Sequence, residues 1–375
     1  MAGLYIHFPF CKQACHYCNF HFSTSLRYKK DLIKALQKEI IHRKSYLGGE
    51  ILESIYLGGG TPSLLHIDEL KDIFSTINDH YEISSNPEIS LEANPDDLSR
   101  EYIAALKKTP VNRLSIGIQS FFEEDLRWMN RAHNQEQARN SIEWSKEAGF
   151  DLLTIDLIYG SPTTSDTHWL ENIQTAIDYN IEHISSYCLT VEEKTPLAKM
   201  LQKGEKQAVS ENQGARQFGI LIDELEKTGY EQYEISNFAK NKQYARHNTA
   251  YWKAKNYLGI GPSAHSFNGS TRSWNIANNN IYIKSLNQGE LPITTEILSM
   301  HDQYNEILMT GLRTMWGVDT NLIKALSPDL IIQLEKDIQP ILDAGFVVYS
   351  DNAYKITREG KFLADKIASE LFIVE

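Results

Sequence analysis

The chain has 375 residues, 42% of them hydrophobic and 23% charged, with a formal net charge of −12. This excludes a disordered or fibrous chain, suits one large domain plus a small one, and disfavours nucleic acid or an anionic membrane as bulk partners. Of the four cysteines three crowd into residues 11–18, which is wrong for a disulfide framework and right for a metal or cluster site in a reducing compartment.

The first residues, Met1-Ala2-Gly3-Leu4-Tyr5, show no basic segment leading into a long apolar run, and no stretch approaches the ~18 apolar residues of a membrane span. A cytoplasmic location is expected. Peripheral membrane association is left open. Short β-branched or apolar runs predict strands at 4–8, 54–57, 88–92, 113–118, 152–158 and 183–189, with amphipathic helices at 25–46, 66–80, 98–108, 134–148 and 167–179 between them. A helical stretch near 209–228 leads into a seventh extended run, 230–235. Such alternation means parallel strands joined by helical crossovers. Six units are too few for a closed eight-stranded barrel, so the expected fold is α/β, a partial (β/α)6 barrel. Its site belongs at the carboxyl ends of the strands, where Gly58-Gly59-Gly60-Thr61, Glu92, Gln119 and Asp156 occur.

The pattern changes after about residue 290. Helices at 299–314, 321–325 and 330–344, a hairpin at 346–350 and 353–357 across Asp351-Asn352, and a last helix at 358–372 predict a small α+β, winged-helix-like module. The expected division is therefore a barrel with an extension over 1–285 and a C-terminal domain over 290–375. Residues 291–375 carry seven Lys/Arg and thirteen Asp/Glu, which argues against DNA binding. No repeat of 20–50 residues is present.

Chemistry concentrates at Cys11-Lys12-Gln13-Ala14-Cys15-His16-Tyr17-Cys18, a C-x3-C-x2-C spacing. Three thiolates on one loop can hold three irons of a [4Fe–4S] cube and leave the fourth open to another ligand. The competing reading is zinc, held by these cysteines and His7, His16 or His21; no second Cys/His knuckle supports it.

With its C-x3-C-x-aromatic-C after a first strand, the chain resembles the radical-SAM superfamily. Tyr5-Ile6-His7-Phe8-Pro9-Phe10-Cys11 narrows the resemblance to the HemN/HemW group, oxygen-independent coproporphyrinogen III oxidases (dehydrogenases) and related haem chaperones. It implies a [4Fe–4S] cluster on Cys11, Cys15 and Cys18, and S-adenosylmethionine (SAM) on its open iron. By the same resemblance SAM is held by Gly59, Gly60 and Thr61 of Gly58-Gly59-Gly60-Thr61-Pro62. Glu92 takes the ribose, and Gln119, Arg131 and Asp156 are further contacts. Tyr5 lies beside the cluster and Tyr17 beside the adenine. Thr190 aligns weakly as a pocket residue. Asp156 sits in an apolar strand and needs a partner, either ligand or Arg131.

Two departures separate this chain from the dehydrogenases. They carry a further cysteine two residues after the third, where this chain has Phe20. A phenyl ring cannot do thiol chemistry. They also carry an N-terminal extension, and only four residues stand before Tyr5 here. Both features match the haem chaperones of the HemW group, as does Arg246-His247-Asn248-Thr249-Ala250-Tyr251-Trp252, which resembles their H-N-x-x-Y-W haem motif. By that resemblance His247 is the axial ligand, Asn248 belongs to the motif, and Tyr251 and Trp252 flank the macrocycle. Local sequence alone reads His247 as a structural histidine. His265 is a second candidate ligand. Cys188 reads as a small buried residue in mid-strand, and His133, His168 and His183 have no constellation around them.

The expectation is thus a haem chaperone with [4Fe–4S], SAM and haem, delivering haem to an acceptor protein and drawing on an electron donor. The alternative is conversion of coproporphyrinogen III to protoporphyrinogen IX.

Overall fold

The computed structural model describes residues 2–374. Six parallel strands form its centre in sequential order: β1 (Ala2–Phe8), β2 (Leu52–Gly59), β3 (Ile83–Ala93), β4 (Arg113–Gln119), β5 (Leu152–Tyr159) and β6 (His183–Cys188). The crossovers are α1 (Lys29–His42), α2 (Ile67–His80), α3 (Arg100–Leu106), α4 (Glu123–Trp128) with α5 (Gln135–Glu147), and α6 (Asp166–Asp178). This is the partial six-stranded arrangement expected from the sequence. A strand covered on both faces cannot alternate polar and apolar residues, and all seven residues of β4 are buried. The helices show why each lies where it does. In α2, Leu70, Ile73, Phe74 and Ile77 recur at three- and four-residue spacing and are buried on the sheet, and Glu69 returns to cap the first turn.

The sheet does not stop at six strands. Beyond β6, after α7 (Pro196–Gln202) and α8 (Glu211–Lys227), come the antiparallel β7 (Glu231–Glu234) and β8 (Asn237–Ala239), with β8 against β6. On the other edge, following α9 (Arg246–Trp252), β9 (Tyr257–Ile260) pairs in parallel with β1. Antiparallel β10 (His265–Phe267), β11 (Thr271–Asn275) and, after α10 (Asn279–Asn287), β12 (Ile293–Ile297) complete twelve strands. The sheet therefore runs past residue 285, where the sequence suggested the first domain ends. These added strands have three to five residues each and include Gly259 or polar runs, too short and too polar to show a period.

A second core forms from Tyr304, Leu308, Leu312, Leu334, Ile338 and Val347. Its elements are α11 (Met300–Leu312), β13 (Val318–Asp319), α12 (Thr320–Leu326), α13 (Pro328–Asp337), α14 (Gln339–Asp343), β14 (Val347–Ser350), β15 (Ala353–Ile356) and α15 (Ala364–Glu370). The single helix expected over 330–344 is two, with Pro340 in the first turn of the second. The hairpin turns at Asp351 and Asn352, both at positive φ, as a two-residue turn of this hand requires.

Candidate cofactor site

The cysteine loop leaves β1 at Pro9 and is tied down on three sides. Cys11 N donates to Ser23 O and Ser23 N to Pro9 O, closing its neck. Thr61 N donates to Phe10 O at 2.7 Å and Gly60 N to Phe8 O at 3.0 Å, joining the neck to the end of β2. His16 N reaches Met129 O, Leu197 N reaches His16 O, and Asn130 Nδ2 reaches Ala14 O, so the turn after α4 and the start of α7 hold the far side. The glycines serve this packing. A Cβ on Gly60 would lie 2.6 Å from Phe8 O, and Gly59 adopts φ +99 with His7 where its Cβ would be.

The three thiols are partly buried and unpaired by disulfide. Burial pushes Cys18 up to about 11 and raises Cys11, so thiolates here require nearby positive charge. Arg131 supplies it. Its Nη1 donates to Cys15 Sγ at 3.2 Å and to the Tyr17 hydroxyl at 3.4 Å, and Nη2 donates to Asn94 Oδ1 and Gly117 O. Its Nε is buried without a partner, a donor left for a ligand. These residues fit an iron–sulfur cube with one thiolate on each of three corners. They fit zinc less well. No group of three or more His, Cys, Asp or Glu among the described residues converges on a single-ion position. The three histidines of that reading are engaged elsewhere: His7 with Tyr5 and His21 O, His16 with Trp128 O, and His21 with Asn279.

The residues expected to hold SAM gather beside this loop at the strand ends. Glu92 accepts from the Tyr56 hydroxyl at 2.9 Å and from Gly59 N at 3.0 Å. Burial, opposed by these bonds and reinforced by the charge of Asp156, lifts its carboxyl to about 7. Burial likewise lifts Asp156 to about 7, against the pull of Ser185 and Arg131. No ion pair joins Asp156 to Arg131 among the described residues, so that suggested structural partnership is not made. Gln119 ends β4 at φ +67, a conformation costly for a side-chain-bearing residue and frequent where a ligand site dictates the backbone. Thr61 is buried and accepts from Asn94 Nδ2. Tyr17 packs beside Met129, Ile158 and Leu197. Tyr5 bonds His7 and stacks with Tyr56.

A cavity of about 830 Å³ lies against residues 19–21, just after the loop, and its walls include Tyr5, Phe20, Tyr251 and Trp252. His247 is not among them. It is 2% exposed, with Nδ1 bonded to Ser54 Oγ at 2.8 Å and Nε2 to the Tyr251 hydroxyl at 2.9 Å. Burial depresses it to about 3. Both ring nitrogens are committed, so this geometry gives the expected axial ligand no free lone pair. Asn248 is half-buried on the same helix, away from the cavity. Thr190 is exposed and bonds Glu192, and Cys188 is exposed at the end of β6 where a buried residue was expected, because the sheet's cover ends there. Sequence reasoning missed Arg272 and the aromatic Tyr257 and Phe267, which line the cavity. Only β9, β10 and β11, unrecognised in sequence, bring them there.

Residues 5–184 match the Radical SAM superfamily and residues 298–363 the HemN C-terminal domain. The chain is 34% identical over 371 residues to "Heme chaperone HemW" of Bacillus subtilis (strain 168), covering 98% of each. It is 33% identical over 314 residues to "Heme chaperone HemW" of Lactococcus lactis subsp. lactis, covering 84% of this chain and 82% of that one. Among solved structures, coproporphyrinogen III oxidase (HemN) from Escherichia coli shares the fold with a TM-score of 0.85 at 22% identity, over 99% of this chain and 90% of that one.

Proposed function

This chain belongs to the radical SAM superfamily and, within it, to the family of the heme chaperone HemW, and from that premise we propose that it binds haem beside a [4Fe–4S] cluster with SAM and passes the haem to an acceptor protein. Membership of the superfamily implies the cluster and SAM. When bound, the cluster supplies an electron to the sulfonium. In this reading Cys11, Cys15 and Cys18 give one thiolate each. Arg131 balances their charge, and Glu92 accepts the ribose hydroxyls. Thr61, the Gly59–Gly60 backbone, Gln119 and Asp156 fix the remainder, with Tyr17 against the base.

One observation carries the choice of chaperone over dehydrogenase. Phe20, two residues beyond Cys18, is 68% exposed and forms part of the cavity wall. Where a dehydrogenase presents a thiol beside the cluster, this chain presents an apolar ring. That suits holding a flat macrocycle, and it offers no hydrogen-atom or proton donor. The resident group is then cargo, and an acceptor protein and an electron donor complete the cycle. No helix among the described residues is long and apolar enough to cross a membrane; a cytoplasmic location is part of the proposal.

The test pairs two anaerobic assays on reconstituted protein. Haem should bind and move to an apo-haemoprotein, and coproporphyrinogen III with SAM and reductant should give no protoporphyrinogen IX. Formation of protoporphyrinogen IX overturns the chaperone reading.

A further inference from the structure

Building on that haem reading, we propose that haem lies in the cavity of about 830 Å³ with its iron on the His265 imidazole and a propionate on Arg272, and that His247 is not its axial ligand. The cavity falls within the ~300–1,000 Å³ of small-ligand sites.

Three histidines line it: His7, His21 and His265. His7 uses Nδ1 on the Tyr5 hydroxyl and Nε2 on His21 O. His21 uses Nε2 on Asn279 Oδ1. Neither ring nitrogen of His265 makes a hydrogen bond among the described residues. Its ring is exposed at the start of β10 and is held by stacking on Trp274, centroids 5.9 Å apart. An exposed, oriented imidazole with uncommitted nitrogens is what iron ligation needs.

The register places the second contact. His265 and Phe267 lie two apart on β10, roughly 7 Å along one face, and Phe267 pairs with Arg272 on β11. The guanidinium lies 6.0 Å over the Phe267 ring, and its Nη2 is 2.6 Å from Glu306 Oε1 of α11. Its Nε is buried without a partner. A buried, unpaired donor in an aromatic pocket is a site for an anionic group. Tyr251, Tyr257 and Phe20 supply flat apolar surface for the ring system.

The experiment is a haem titration of full-length reconstituted protein, followed by absorption and resonance Raman spectra. Wild type should show histidine-ligated haem. His265→Ala should lose that signature and regain it with added imidazole, while His247→Ala keeps it. Arg272→Gln should weaken binding about tenfold, and this loss should vanish with haem dimethyl ester. Glu306→Gln, which frees the guanidinium, should tighten binding. If His265→Ala keeps the wild-type spectrum, or Arg272→Gln binds both haems as wild type does, the assignment is overturned while the haem reading stands. If wild type binds no haem, the haem reading falls with it.

Discussion

His247 and Tyr251 lie one turn apart on α9 and are joined by a hydrogen bond of 2.9 Å between the imidazole Nε2 and the phenol. With Ser54 on the other nitrogen, the histidine acts as a strut between β2 and a cavity-wall tyrosine. His247→Ala leaves two buried hydroxyls without this partner, and removing one half of a buried hydrogen bond costs about 1–3 kcal/mol. Chemical denaturation should show a loss of that order.

Glu92 gives a pH dependence of known sign. Its carboxyl stands near 7 in the fold against an ordinary 4.5, so the folded state binds the proton more tightly than the unfolded one. The ligand-free protein should therefore lose stability as pH rises from about 4.5 to about 7. SAM should do the opposite, because the ionised carboxylate is the better acceptor for two ribose hydroxyls. Isothermal titration should find SAM affinity rising through pH about 7, with Asp156 sharing the apparent titration, and Glu92→Gln should flatten the profile.

Glu88 joins three elements. It faces Arg113 of β4 at 3.5 Å and accepts from the backbone N of Arg246 and of His247. The two side chains of the pair are 2% and 4% exposed. Removing one member of such a pair costs roughly 3–5 kcal/mol. Glu88→Ala should lower the denaturation midpoint by a corresponding amount and release the start of α9. The larger loss, compared with His247→Ala, distinguishes the anchor of the helix from the strut within it.

What the sequence revealed follows from signal length. Strands β1 to β5 are covered over their apolar stretches and read as apolar runs, so Leu4, Ile55, Leu91, Ile116 and Ile155 announced them. The cysteine loop, Glu92, Gln119 and Arg131 could be proposed from sequence because spacing and resemblance fall on contiguous segments. The cavity was not. Phe20, His265, Arg272 and Glu306 meet there only through β9 beside β1, a pairing between residues some 250 positions apart carried by a four-residue strand containing Gly259. Motif reasoning names His247 from a local pattern, and a local pattern cannot show that Ser54, 193 residues away, bonds its Nδ1.

Electron paramagnetic resonance of the anaerobically reconstituted, dithionite-reduced protein, with and without SAM, addresses the foundation of this picture. A reduced [4Fe–4S] signal should appear, shift when SAM reaches the iron without a protein ligand, and be lost when Cys11, Cys15 and Cys18 are together replaced by alanine. Absence of that signal, or a signal that SAM leaves unchanged, would contradict a three-cysteine cluster open to SAM.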